Sequence, residues 1–202
     1  MPEPKTPDAV HAYWFGTIEN DARTAEERAQ QWWQKSDGTD RDIRDRFETW
    51  VQAAGRGELD AWADGPTDRL ALIVLLDQFP RNIYRGLPAA FRYDEQALSL
   101  SLEGQRLGQD RALRPVERVF FYLPMEHAES RAMQARSVAL FEALLAGVPE
   151  AQQAPFETFL DYAVRHRDVI ERFGRFPHRN ATLGRTSTAE EAAFLEQPGS
   201  GF

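Results

Sequence analysis

Two short polar segments hold the residues of this chain that are best suited to chemistry. They read DQFPRN at 77–82 and FPHRN at 176–180, and a third segment, PMEHAES at 124–130, adds Glu126, His127 and Glu129. Arginine grips a carboxylate or phosphate with two parallel hydrogen bonds, while histidine and glutamate can exchange protons once burial has shifted their pKa. The near repetition predicts that the first two segments belong to one polar site.

Helical spacing places two of the polar side chains on buried faces. Asp77 follows Leu70 by seven residues and Val74 by three, in a segment that is apolar nearly all round. His166 follows Phe159 by seven residues on another apolar stripe. A buried carboxylate without a partner is costly, so Asp77 is expected to pair with an arginine of one of the two segments.

The charge distribution singles out the region around the second segment. Residues 165–185 hold six arginines against two carboxylates, a local net charge of +4 in a chain of net charge −8. Such a basic island could bind a small anion or an acidic peptide, or it could pair with internal carboxylates. The negative charge of the whole chain disfavours nucleic acid and anionic membranes as partners.

The elements that must position these residues are predicted to be helices, because apolar residues recur at helical spacing and no stretch alternates like a strand. The predicted helices are 8–15, 22–35, 40–54, 57–63, 67–78, 94–107, 115–123, 129–146, 155–173 and 188–196. Residues 79–93 and 174–187 are predicted to be long irregular loops.

Several residue types indicate where these helices begin and end. Serine, threonine and aspartate favour the first position, glycine the end, and proline interrupts a helix. The predictions are a cap at Asp94, an end at Gly108, an end at Gly174, a capping box from Thr188 to Glu191, and a break at Pro124 in the helix that starts at Pro115.

Length and composition favour one all-α domain spanning residues 1–202. Apolar residues make up 42% and charged residues 28%, which is typical of a folded globular protein. Helices joined by short turns suggest stacked helical hairpins, a TPR-like α-α superhelix, and residues 93–108 look like the second helix of a TPR unit. Four of the five tryptophans lie in the first third of the chain, and they are expected in the core rather than at a subunit contact.

The sequence also excludes several classes of chemistry and location. There is no cysteine, and hence no disulfide or thiolate chemistry. The beginning, MPEPKTPDAV, has no apolar signal core, and the longest apolar run, LALIVLL at 70–76, is too short to span a bilayer. A cytoplasmic protein without a membrane anchor is therefore expected.

No metal or other cofactor is expected either. There is no phosphate-binding loop and no dinucleotide motif. His127, Glu129, His166 and His178 match no known metal-ligand spacing, and the neighbouring arginines would repel a cation.

Longer motifs resemble one known family. LLDQFPRNIYRG at 75–86, FFYLPMEHAES at 120–130, RFGRFPHRNATLGR at 172–185 and FLEQPGSGF at 194–202, together with WFG at 14–16 and Trp33, resemble the bacterial domain-of-unknown-function family 924. The likeness covers nearly the whole chain and implies an α-α superhelical, TPR-like fold, but it supplies no established reaction. Gly201 departs from the family, where a second serine is more usual. The resemblance implies that the family's motif positions are Asp77, Gln78, Arg81, Asn82, His127, Glu129, His166, Arg175, His178, Arg179, Asn180 and Arg185.

Three functions remain open at this point. In the first, these motif residues bind an acidic peptide or a small anionic ligand. In the second, the protein is a hydrolase-type enzyme for a phosphorylated or carboxylated metabolite, with His127 or His166 as base, Glu126 or Glu129 orienting it, and arginines holding the anion. In the third, the residues form a buried structural network. The sequence makes no prediction of the oligomeric state.

Overall fold

The computed structural model describes residues 5–201, and every regular element in that range is helical. The prediction of an all-α chain is confirmed. Residues 1–4, which lie in the predicted single domain, and Phe202, which ends the last motif, lie outside the described range. The α-helices are α1 Pro7–Phe15, α2 Asp21–Trp33, α3 Asp37–Gly55, α4 Pro66–Ile73, α5 Phe79–Ile83, α6 Asp94–Arg106, α7 Pro115–Glu126, α8 Arg131–Gly147, α9 Gln153–Phe173 and α10 Ala189–Leu195.

Among the helices described, none combines the length and the apolar character needed to cross a bilayer. Short 3-10 turns connect several of them, at Asp60–Asp64, Pro88–Phe91, Gln109–Ala112, Glu150–Gln152 and Pro177–Arg179. The predicted helix at 57–63 is the first of these turns. Gly57, with a positive φ of 79°, precedes this turn and interrupts the helical backbone, and Pro66 opens the next helix.

Capping residues fix several helix ends as predicted. Thr188 accepts a hydrogen bond from the backbone N–H of Glu191, whose carboxylate accepts from the N–H of Thr188, so the capping box of α10 is present. Gly174, with φ 72°, ends α9, and Gly108, with φ 71°, follows α6.

The segment after α4 differs from the prediction. The helix does not end at residue 78: it widens into a π-helical segment, Val74–Gln78, and continues as α5, so residues 79–93 are not one irregular loop. The backbone N–H of Phe79 donates to the carbonyl of Val74, five residues back. Pro80 has no N–H and its ring crowds the carbonyl four residues back, and a wider turn relieves this conflict.

The prediction that Pro124 breaks its helix is wrong. α7 runs from Pro115 to Glu126 with Pro124 inside it, and the N–H of His127 still donates to the carbonyl of Leu123. A proline removes one backbone hydrogen bond, and α7 is buried along nearly its whole length, so packing offsets the loss. Glu126 and His127 therefore sit at the rigid end of a core helix.

Most of the core lies around α7. α8 packs against both α7 and α9, α2 packs against α7 and α9, and α1 packs against α4. Aromatic rings gather about Phe120, which contacts Trp14, Phe15, Trp32 and Trp33. Trp14, Trp32 and Trp50 lie in the core as expected, whereas Trp33 stacks on Phe120 at the edge of the core and is 46% exposed.

A second, smaller core attaches the C-terminal segment to α9. Val169, Ile170 and Phe176 are buried together, with Phe173 and Phe194 packed against them. This contact brings the FPHRN segment to the end of α9. There Arg179 approaches Asp94 at the start of α6, and the N–H of Phe176 donates to Glu129 between α7 and α8.

Candidate functional site

Asp77 is the most deeply buried charged group of the site. It lies in the π segment with no exposed surface. Its Oδ2 accepts a hydrogen bond from Gln78 Nε2 at 2.6 Å, and its Oδ1 lies 2.8 Å from His127 Nδ1 and 3.4 Å from Arg81 Nη1. Burial raises the pKa of the Asp77 carboxyl, but the Arg81 charge and the His127 and Gln78 hydrogen bonds outweigh it and hold that pKa well below its usual range.

His127 is oriented by this carboxylate. Because an ionised carboxylate can only accept, Nδ1 of His127 carries the proton of the shared hydrogen bond. In the neutral ring, Nε2 then holds the lone pair, and it forms no hydrogen bond with any of the residues 5–201. Burial and the Arg81 charge lower the pKa of His127 below its ordinary value, against the opposing effect of Asp77. The side chain retains 13% exposure.

Asp94 links the two polar segments at 77–82 and 176–180. Its oxygens accept hydrogen bonds from Arg81 Nη1 and Nη2, each at 3.0 Å, and its Oδ2 lies 3.6 Å from Arg179 Nη1. The predicted capping role of Asp94 is therefore wrong: Tyr93 precedes α6 in the cap position without a side-chain hydrogen bond, and the Asp94 carboxylate faces the arginines instead. The prediction that the two segments meet is confirmed.

Arg179 lies between two aromatic rings. Its guanidinium carbon is 4.7 Å from the ring centre of Phe91 and 4.5 Å from that of Phe176, and the side chain is only 8% exposed. Burial, with the nearby Arg81 charge, lowers the pKa of Arg179 to about 10. Its Nε is buried and has no hydrogen-bond partner among the described residues. A guanidinium offers five donor hydrogens, so Arg179 has hydrogen-bonding capacity that the described residues do not satisfy. Arg179, its neighbours Phe91, Asp94 and Arg81, and the pair Asp77 and His127 that Arg81 joins to them form what we call the Asp77–Arg179 cluster.

A neutral acid and a neutral imidazole lie beside this cluster. Burial and the Asp77 charge raise the pKa of Glu126 to about 8, and burial lowers the pKa of His166 to about 3. Nδ1 of His166 is 2.8 Å from the carbonyl of Tyr162 and 3.1 Å from Glu126 Oε1. The carbonyl of Tyr162 can only accept, so Nδ1 of His166 carries a proton. Near neutral pH, the contact between His166 and Glu126 therefore joins a neutral imidazole and a neutral carboxyl. The His166 ring centre is 6.4 Å from that of His127.

Glu129 and Arg185 attach the C-terminal segment to the turn between α7 and α8. Arg185 donates to both oxygens of Glu129, at 2.7 and 2.9 Å, and also to the carbonyl of Phe176. The N–H of Phe176 donates to Glu129 Oε1 at 2.8 Å. Burial raises the pKa of Glu129, but the Arg185 and Phe176 hydrogen bonds outweigh it and lower that pKa. Both side chains are thus engaged in holding the fold.

Three other predicted residues are engaged away from the cluster. Arg175 donates to both oxygens of Glu191, at 2.6 and 2.8 Å, and Asn180 donates to Glu191 at 3.3 Å and to Ser187. Asn82 donates to Asp40 at 2.9 Å, a carboxylate that also holds Arg85. These contacts fix α10 and α3 in place.

His178 lies in the last 3-10 turn, next to Arg179. Its ring centre is 5.5 Å from that of Phe176, and burial together with the Arg179 charge lowers its pKa to about 4. Among residues 5–201, no group of three or more histidines, aspartates and glutamates is arranged to hold a metal ion.

The basic island is largely neutralised by carboxylates. Arg167 pairs with Asp168, and Arg172 pairs with Glu190. Arg175 and Arg185 hold Glu191 and Glu129 as described, and Arg165 donates to the carbonyl of Gly199. Of the two sequence interpretations of the island, internal pairing accounts for these arginines. Arg179 differs because its nearest carboxylate is already held by Arg81 in two hydrogen bonds.

Two open depressions lie elsewhere on the surface. One, of about 640 Å³, is lined by Tyr13, Arg28 and Asp42 among others, and one of about 440 Å³ is lined by residues of α6 and Arg136. Neither is lined by a member of the Asp77–Arg179 cluster.

Sequence reasoning missed three residues that complete these networks. Phe91 lies in the stretch predicted as a loop, and the sequence pattern predicts only capping roles for Asp94 and Glu191. Their roles depend on contacts between distant segments. The signal available for Asp94 and Glu191 was a carboxylate at the start of a helix, which is also the signal for capping.

Comparisons with known proteins agree with the fold and the motifs. The sequence model of a family described as bacterial protein of unknown function, DUF924, matches residues 10–199. A solved structure of a protein of unknown function from Agrobacterium tumefaciens is 38% identical, with a TM-score of 0.80, over 94% of this chain and 96% of that chain. Among curated proteins, no match is found. Since the family match spans nearly the whole sequence, the chain belongs to the DUF924 family of bacterial proteins.

Proposed function

We propose that the protein binds a small anion, a carboxylate or phosphate compound, at the Asp77–Arg179 cluster. The observation that carries the proposal is Arg179: a guanidinium that is 8% exposed, lies between two aromatic rings and has an Nε without a hydrogen-bond partner among the described residues. Leaving a buried charged donor unsatisfied costs more than about 1 kcal/mol. An anion that accepts from Arg179 would recover that energy and restore its lowered pKa.

The exposure of the cluster favours a small ligand over an acidic peptide. Arg81 and Asp94 keep about a fifth of their side-chain surface, at 20% and 19%, and His127 keeps 13%. A peptide would need a wider surface, since standard protein interfaces bury about 800 Å² on each partner.

We also propose that the helices stack as TPR-like hairpins, and the packing of α8 against both α7 and α9 supports this. A cytoplasmic location likewise stays a prediction.

The experiment compares two charge-removing variants in the same part of the chain. Isothermal titration with inorganic phosphate and with a panel of small carboxylates is expected to detect binding to the wild type. Arg179→Gln should weaken that binding at least about tenfold, because the loss of a charge-assisted hydrogen bond costs about 1.5–3 kcal/mol. Arg172→Gln, which removes an exposed arginine paired with Glu190, should leave it unchanged.

Arg179→Lys guards against a folding defect in the glutamine variant. It keeps the positive charge but lacks the fork of donors, so a folded Arg179→Lys protein should also bind less tightly. If both Arg179 variants are folded and bind as the wild type does, or if no anion binds, the proposed function is wrong.

A second candidate function is acid–base catalysis on such a ligand. The observation that favours it is the 2.8 Å contact between Asp77 and His127, since a buried carboxylate that fixes the imidazole tautomer is the arrangement found at general bases. A screen of phosphorylated and carboxylated metabolites for hydrolysis tests it. Turnover that survives in His127→Gln, or no turnover with any compound, counts against this candidate.

A further inference from the structure

The proton positions around His127 restrict which anions the cluster can accept. This inference rests on the proposed function and specifies its ligand. Asp77 is an ionised, fully buried acceptor, so His127 must donate from Nδ1 and present the lone pair of Nε2. Arg179 can only donate. Arg179 therefore favours a negatively charged group of the ligand, while Nε2 of His127 favours a hydrogen-bond donor.

A chain of ring contacts connects Arg179 with His127. Phe176 packs on the guanidinium of Arg179 at 4.5 Å and on the ring of His166 at 5.5 Å, and His166 contacts His127 at 6.4 Å. On the opposite side, Arg81 and Asp94 link Arg179 to Asp77 through the distances given above. Arg179 and His127 are thus linked through packed rings on one side and through Arg81, Asp94 and Asp77 on the other.

We propose that the site selects anions that carry their own hydrogen-bond donor beside the negative group. Monohydrogen phosphate and hydroxyl-bearing carboxylates have this chemistry, whereas sulfate and unsubstituted carboxylates do not. An anion without a donor would place oxygen lone pairs against the lone pair of His127 Nε2. The unsatisfied contact is expected to lower affinity about tenfold, which corresponds to about 1.4 kcal/mol.

The groups that face His127 keep its ring neutral in mildly alkaline solution. Asp77 and Arg81 act on it from the π segment and α5, Asp94 from α6, His166 from α9, and His178 from the last 3-10 turn. Burial and Arg81 favour the neutral ring over the attraction of Asp77. A comparison of anion affinities at about pH 8 therefore tests the effect of the Nε2 lone pair of neutral His127, not that of a charged imidazolium.

The test is a titration of the full chain at about pH 8 and constant ionic strength with two matched pairs of anions. The first pair is phosphate and sulfate, and the second is glycolate and acetate. At least one donor-bearing member should bind about tenfold or more tightly than its partner. A preference within the first pair alone assigns the natural ligand to phosphates, and within the second alone to hydroxy acids.

Equal affinities within both pairs overturn this inference and leave anion binding at Arg179 intact. No binding of any of the four anions overturns both. Asp77→Asn provides a second test, because an amide N–H facing His127 would move the ring proton to Nε2 and abolish the preference for donor-bearing anions. If Asp77 serves only to hold the fold, the variant will lower both affinities of a pair alike, and the inference is then wrong.

A direct measurement remains decisive if Asp77→Asn does not fold. Nitrogen-15 NMR of wild-type protein labelled at histidine distinguishes the two neutral tautomers. His127, assigned by its loss in His127→Gln, should carry its proton on Nδ1. A proton on Nε2 at about pH 8 would overturn the inference.

Discussion

Glu126 and His166 make opposite contributions to stability as pH changes. The pKa of Glu126 is raised from 4.5 to about 8, so the folded protein holds a proton that the unfolded chain releases. Its contribution is fully present below pH 4.5 and is lost as pH rises through about 8. The pKa of His166 is lowered from 6.5 to about 3, so its contribution is present above pH 6.5 and is lost as pH falls towards 3.

Glu126→Gln tests the first of these effects. Glutamine resembles the protonated carboxyl but never ionises, so the variant should be more stable than the wild type at about pH 8, by more than about 1 kcal/mol. The advantage should shrink as pH falls towards 4.5. Urea unfolding across this range measures it, and Glu142→Gln, at an exposed position, should show no such trend. A pH-independent difference between the Glu126 variant and the wild type would contradict the assigned protonation.

Individual buried residues were the part of the site that sequence predicted best. Asp77 and His166 were assigned to buried faces from helical spacing, and both are buried. That Asp77 would need an arginine also followed from its burial, and Arg81 lies 3.4 Å away. The remaining partners, Phe91 and Asp94, come from other elements, and helical spacing carries no information on which distant segments will meet.

At the scale of elements, the π segment decides where Asp77 and Gln78 point. The sequence does not predict it. LALIVLL is apolar at every position, so it has no alternation of apolar and polar residues in which a wider turn could be recognised. Pro80 is the available signal, and it lies in the stretch 79–93 that the sequence predicts as a loop. π-helical turns are rare and occur often at functional sites, so this one agrees with the proposed binding role.

The carboxylate of Glu191 joins helix α10 to the segment that precedes it. Glu191 accepts from Arg175, Asn180 and the N–H of Thr188, and the Arg175 hydrogen bonds, against the effect of burial, hold its pKa near 2. The stability from this group is therefore present above pH 4.5 and is lost as pH falls through about 2.

Glu191→Gln should loosen the C-terminal segment and little else. The amide keeps one acceptor but loses the charge, so backbone amides of residues 186–197 should exchange with deuterium faster than in the wild type. Mass spectrometry of the exchanged peptides measures this. Glu190→Gln, at the neighbouring exposed position paired with Arg172, is the matched control and should leave exchange nearly unchanged. Equal exchange in both variants would show that Glu191 does not hold α10.

At the scale of the whole molecule, the fold follows from the apolar pattern and the caps, while the site depends on how the ends of elements meet. Most predicted helices lie within a few residues of the observed ones, since an amphipathic pattern and capping residues act locally. Trp33 shows the limit of composition alone: it stacks on Phe120 yet stays nearly half exposed at the end of α2. Burial at the end of an element depends on what packs there.

Because the net charge of the protein is −8, nonspecific binding of anions is expected to be weak. A protein with this charge repels anions in general, so binding requires a built site. The most direct measurement is an NMR spectrum of protein labelled with nitrogen-15 at arginine, recorded while inorganic phosphate is added. The Nε–H signal of Arg179, assigned by its loss in Arg179→Lys, should shift and saturate as its unsatisfied donor gains an acceptor. An Arg179 signal that stays in place, or that follows the same non-saturating drift as the exposed Arg172, would contradict anion binding at the cluster.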